Sequence, residues 1–129
     1  MARGVNGEFP GLRPDGGGSD APAMLIAWTT VGTSAEAERL ASDVVAAGLA
    51  ACVQVEGPIV SHFRWEGKTE RVEEFRLCFK FLPSQLAALE KRVLAAHPYD
   101  TPEWLVVRAE SVGEKYLSWA EGTVHSPPL

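Results

Sequence analysis

Two runs of alternating apolar residues, close enough in the chain to pair, constrain this fold more than any other feature. Ile59, Ser61, Phe63 and Trp65 alternate with Val60, His62, Arg64 and Glu66, and beyond Gly67-Lys68 the residues Phe75, Leu77, Phe79 and Phe81 alternate with Arg76, Cys78 and Lys80. A period of two belongs to strands with one face turned inward, so the runs predict a long hairpin. Ala50–Val55 extends the first strand backwards, and Gly57-Pro58 kinks it. Both apolar sets occupy odd-numbered positions. To face the same way, paired residues must have even sums, which a three-residue loop or a bulge near Glu73-Glu74 supplies.

The flanking segments complete the pattern. Met24–Val31 is a short continuous apolar and β-branched run, as in a buried central strand. Thr33 and Glu36 have capping-box spacing, Ala37, Leu40, Ala41, Val44 and Val45 recur at helical intervals, and Gly48 supplies a stop. After the hairpin, Pro83-Ser84 opens a helix with the stripe Leu86, Leu89, Val93 and Ala96, which Pro98 ends. Glu103–Ala109 reads as a last strand, and Tyr116, Leu117 and Trp119 mark a short amphipathic helix. The order β-α-β-β-α-β-α predicts an α+β, ferredoxin-like fold: a four-stranded antiparallel sheet with two helices on one face. A strand running from Ala50 to Glu66 spans roughly 50 Å at about 3.3 Å per residue, whereas a helix of about 14 residues covers roughly 21 Å. The hairpin therefore overhangs the helices, and an uncovered overhang carrying Phe63 and Trp65 predicts self-association.

At 129 residues, with 46% hydrophobic and 22% charged residues, the chain fits one globular domain, placed at 23–122. Residues 1–22 hold six of the twelve glycines and three of the nine prolines and are expected to be a disordered tail. Residues 123–129 form a Pro-rich end that carries His125. A net charge of −5, without any Lys/Arg run, argues against nucleic acid as a partner. No run of 18 apolar residues suggests a membrane span, and two dispersed cysteines suit a reducing compartment, so a soluble, cytoplasmic protein is expected.

Three segments carry a specific resemblance. They are Ala51-Cys52-Val53-Gln54-Val55 followed by Pro58-Ile59-x-Ser61-x-Phe63-x-Trp65-x-Gly67-Lys68-x-Glu70 and Glu74-x-x-Leu77-x-x-Lys80; then His97-Pro98-Tyr99-Asp100-x-Pro102-Glu103; then Tyr116-Leu117-x-Trp119. In this order and spacing the chain resembles the CutA (divalent-cation-tolerance) family from Met24 to Ala120. The resemblance implies a homotrimer joined through long hairpins, an architecture shared with PII-type signalling proteins, and binding of copper or other divalent ions. It departs from the family at Gln54, Phe63, Asp100 and Phe81, where Asn, Tyr, Glu and Thr are common.

The candidate ligands for Cu(II) or another divalent cation are His97, Cys52, Asp100 and Glu103, since imidazole and carboxylate suit Cu(II) and a thiolate biases a site toward Cu(I) or Zn. Each has a plainer reading. Cys52 lies in an Ala/Val strand, where a free cysteine acts as a small hydrophobe, and His97 at a helix end can bond the last carbonyls. His62 and Cys78 read as solvated strand residues. Glu66, Lys68, Glu70 and Glu74 read as a turn or an inter-subunit ion-pair network, and the four tryptophans as core and interface. With the turn centred at Gly67-Lys68, Cys52 and Cys78 lie about 16 Å apart along the ladder, too far for a disulfide. No His-x-x-x-His, Cys-x-x-Cys, nucleophile elbow or phosphate loop occurs, so a metal site has to be assembled through space and no enzyme is expected. The rival reading is a PII-like signalling trimer binding a small anion in inter-subunit clefts, for which Arg64, Lys80 and Arg108 would have to converge.

Overall fold

The computed structural model describes residues 21–124; the expectations for the two tails, His125 included, fall almost wholly outside them. Strand β1 (Leu25–Val31) leads into helix α1 (Ser34–Ala46), then into the hairpin of β2 (Cys52–Trp65) and β3 (Lys68–Phe81). A single 3-10 turn at Pro83–Gln85 precedes α2 (Leu86–Ala96), and β4 (Leu105–Arg108) and α3 (Glu114–Val124) finish the chain. The sheet order is β2-β3-β1-β4, with every neighbour antiparallel, which is the expected ferredoxin-like arrangement.

The local signals act as the residue types dictate. Thr33 accepts the Glu36 amide on Oγ1 at 3.1 Å and donates to its carboxylate, fixing the start of α1, while Gly48 leaves the helix at φ +72°. Gln85 receives the Leu82 amide at 2.8 Å and donates to the Gly48 carbonyl at 2.9 Å, tying the entry of α2 to the exit of α1. Between these helices and the sheet lies the core, with Ala27 and Val31, Leu77, Phe79 and Phe81, Ala37 and Val44, and Leu89 and Val93 all fully buried. Trp104 meets Phe79 edge-on at 5.8 Å and donates its indole N–H to Glu90 at 2.7 Å.

The hairpin corrects two expectations. Its turn is Glu66-Gly67, both residues in the left-handed region at φ 49° and 79°, so Trp65 pairs with Lys68 and the tip has odd sums. Even sums appear only at the base, below a bulge on β2 between Glu56 and Ile59 at the cis Gly57-Pro58 bond and not near Glu73-Glu74. Ile59, Ser61, Phe63 and Trp65 therefore pair with Glu74, Val72, Glu70 and Lys68 and do not share the alternation of Phe75, Leu77, Phe79 and Phe81. Gly57 sits at φ +151°, and a Cβ there would come within 2.6 Å of the Phe75 ring and 3.1 Å of the Glu74 carbonyl. Only glycine fits.

Strand β4 is shorter than the expected Glu103–Ala109. The Thr29 hydroxyl donates to the Glu103 carbonyl at 2.6 Å, drawing that residue out of the ladder. The overhang is present: two 14-residue strands run past helices of 13 and 11 residues, and Phe63 and Trp65 stand 42% and 48% exposed.

Candidate functional site

His97 caps α2 in an extended conformation, as a residue before proline must, and its ring turns back under β1. Nε2 lies 2.9 Å from the Thr30 carbonyl, which can only accept, so Nε2 carries the proton. The same N–H lies 3.0 Å from Thr29 Oγ1, whose own hydrogen goes to the Glu103 carbonyl. Nδ1 accepts the Tyr99 amide at 3.0 Å. A neutral imidazole of fixed tautomer results. Burial pushes its pKa below the usual value, outweighing the Thr30 carbonyl and the carboxylates of Glu36 and Glu74.

Tyr99 extends this knot. Its hydroxyl donates to the buried Glu74 carboxylate at 2.7 Å, and burial, then that bond and the Glu74 and Glu36 charges, push its pKa well up. Asp100 is exposed, and Glu103 exposes its side chain while its carbonyl is taken by Thr29. His97, Asp100 and Glu103 therefore share one end of the molecule, though among the described residues no three His, Cys, Asp or Glu side chains form a metal-sized group.

Cys52 lies across the sheet. Paired residues share a face and successive ones alternate. The rows Cys52, Lys80, Ile26, Val107 and Gln54, Cys78, Trp28, Leu105 thus oppose the face where Thr29, Leu77 and Phe79 meet the helices. Leu105 and Val107 of those rows are 57% and 42% exposed, and the rows form an open, largely apolar face. At its edge α3 packs Ala120 against Met24 and Ala51. A cleft of about 230 Å³ opens there among Met24, Ile26, Lys80, Val112, Gly113 and Tyr116.

Cys78 is the residue that the sequence reading undervalued. Cys52 pairs with Lys80 and Cys78 with Gln54, so the cysteines are diagonal neighbours on one face, about 7–8 Å apart at Cα and not the expected 16 Å. Both are free and half-buried. Burial raises the Cys78 pKa, Lys80 lowers it and Cys52 raises it further. Tyr116 is raised first by burial, then by the charge on Cys52 and a hydrogen bond to it. His62 pairs with Arg71 near the hairpin tip, seven positions or roughly 23 Å along β3 from Cys78.

Within one chain the three cations of the signalling hypothesis do not converge. Lys80 faces the open side, Arg108 pairs with Leu25 on the helix side, and Arg64 pairs with Thr69, eleven positions or roughly 36 Å along β3 from Lys80.

A family model described as CutA1 divalent ion tolerance protein matches residues 25–123. The divalent-cation tolerance protein CutA of Yersinia pestis (strain Pestoides F) is 35% identical over 100 residues, covering 78% of this chain and 84% of that protein. Protein CutA 1, chloroplastic, of Oryza sativa subsp. japonica is 34% identical over 99 residues, 77% of this chain, which spans only 56% of that protein's length. Among solved structures, CutA from Synechococcus elongatus PCC7942 superimposes with a TM-score of 0.75 at 39% identity, covering 78% of this chain and 89% of that one.

Proposed function

Since the chain belongs to the CutA1 divalent ion tolerance family, we propose that it is a cytoplasmic homotrimer that binds Cu(II) or another divalent cation and acts as a binding protein, not a catalyst. The observation that carries the assembly is the pair of uncovered apolar surfaces, the open sheet face and the hairpin tip. A closed threefold ring buries both without leaving a growing edge.

Cu(II) takes nitrogen and oxygen donors, and the end of the molecule with His97, Asp100 and Glu103 supplies them. The imidazole is held neutral, so protons compete little for it near pH 7. To bind, Nδ1 exchanges the Tyr99 amide for the ion, giving up one neutral hydrogen bond of about 0.5–1.5 kcal/mol. Since one chain does not gather three donors, water or a neighbouring subunit completes the site, and Cys52 on the opposite face acts on it only indirectly.

Copper titration of the purified protein, with native mass spectrometry to count chains and ions, tests this reading. Trimers are expected, with His97→Ala weakening Cu(II) binding at least about tenfold, or about 1.4 kcal/mol, and leaving the trimer intact. A monodisperse monomer at micromolar concentration sinks the assembly, and unchanged affinity in His97→Ala reduces His97 to a structural latch. The cleft beside Lys80 favours one rival, a PII-like trimer taking a small anion there; saturable anion binding lost in Lys80→Ala would select it.

A further inference from the structure

We propose that Cys52 and Cys78 together hold Cu(I) as a bis-thiolate site on the sheet face turned away from α1 and α2, the face that the proposed trimer encloses. The inference rests on the metal-binding reading above and assigns the reduced ion to a place apart from His97.

The geometry begins at Gly57. With the odd sums of the hairpin tip carried to its base, Cys52 would pair with Phe81, and Cys78 would lie on the other face. The extra residue at Gly57-Pro58 changes the sum by one and puts both thiols on the same side. Diagonal neighbours have Cα atoms about 7–8 Å apart and Cβ atoms somewhat closer. A disulfide needs Cβ atoms within about 4.5 Å. An ion with metal–sulfur bonds of about 2.3 Å spans up to ~4.6 Å between sulfurs, so it bridges this pair with less adjustment than a disulfide requires.

The surroundings suit a soft monovalent ion. Thiolates select Cu(I), and two of them with one Cu(I) leave a single net negative charge. Lys80, directly opposite Cys52 and electrostatically felt by Cys78, offsets it. The Tyr116 hydroxyl hydrogen-bonds the Cys52 side chain. Ile26 and Trp28, the next positions in the same two rows, limit water. Binding replaces two thiol protons with the ion, and no electron is transferred.

The test is Cu(I) competition against bicinchoninate under anaerobic, reducing conditions on the full chain, with X-ray absorption of the loaded wild type. One Cu(I) per chain with two sulfur neighbours is expected, and Cys52→Ser and Cys78→Ser should each weaken Cu(I) at least hundredfold. Wild-type affinity in Cys78→Ser, or fewer than two sulfurs in the absorption spectrum, overturns the proposal; the spectrum needs no variant to fold. Cu(II) titration of Cys78→Ser separates the two readings. It should match wild type, so loss of the thiol site leaves the His97 proposal standing, and failure of His97 leaves the thiol site standing.

Discussion

The two halves of the β2–β3 hairpin carry similar alternating patterns and meet opposite fates. In the base, Leu77, Phe79 and Phe81 are wholly buried, while in the tip Phe63 and Trp65 keep nearly half their surface in water. Local sequence does not explain this. The base residues face α1 and α2, whereas past the bulge Phe63 and Trp65 pair with Glu70 and Lys68, in the alternation of Cys78 and Lys80, on a tip that also projects beyond helices of 13 and 11 residues. Alternation thus specifies that one face is apolar, and the register shift at the bulge together with the lengths of the neighbouring elements decides whether the chain itself covers it. What is left over becomes an interface.

The comparison is broken most forcefully by truncating one aromatic in each half. Phe79→Ala removes a ring packed among the core residues and against Trp104, and should cost about 3–5 kcal/mol at any protein concentration. Phe63→Ala should cost a single chain no more than about 0.5 kcal/mol, but should weaken the assembly, so its melting midpoint falls more steeply on dilution than that of wild type. Thermal unfolding across a hundredfold concentration range checks both. Equal, concentration-independent losses would erase the distinction between base and tip.

A smaller effect sharpens the boundary between the halves. Gly57→Ala places a Cβ against the Phe75 ring and the Glu74 carbonyl at a φ that L residues rarely adopt, for about 1–3 kcal/mol of strain. Losing the bulge would relieve that strain and pair Cys52 with Phe81, which would carry Cys52 to the face opposite Cys78. Chemical denaturation should show the loss of stability, and Cu(I) affinity should fall with it. A variant as stable as wild type would mean that the bulge tolerates a side chain.

Much of this architecture is legible in the residues. Thr33 and Glu36 announce the start of α1, Pro98 the end of α2, and the odd-numbered apolar sets the hairpin. Parity arithmetic also demands one irregularity, but it does not say on which strand the extra residue lies. That choice is made by three-dimensional crowding around Gly57, which no spacing records. The same gap hid the thiol pair, because an error of one in register moves a side chain to the other face. The bonds of His97 were hidden for a different reason: its partners Thr29 and Thr30 come from β1, 68 and 67 positions away, and a lone histidine at a helix end gives no sign of them. The resemblance to a family marked His97 as important without saying what it touches.

The smallest expected effect asks whether His97 fastens only the covered half. In the metal-free protein its pKa lies below the usual 6.5, chiefly through burial. Below about pH 6.5 the unfolded chain therefore binds a proton that the folded chain refuses, and stability falls as pH drops from there toward the folded pKa, where the dependence levels off. The cause is visible in the bonds. A protonated Nδ1 becomes a donor facing the Tyr99 N–H, which is itself a donor, so the α2 exit loses its hold on the turn that follows. Melting midpoints should decline between pH 7 and pH 5 by more in wild type than in His97→Gln, and by less than the Gly57→Ala loss. Hydrogen exchange, corrected for intrinsic rates, should show the added opening in β1 and not in the tip strands around Phe63. Identical pH slopes in the two proteins would mean that the ring's buried bonds survive its protonation, and added opening at the tip would mean that the two halves of the hairpin unfold as one unit.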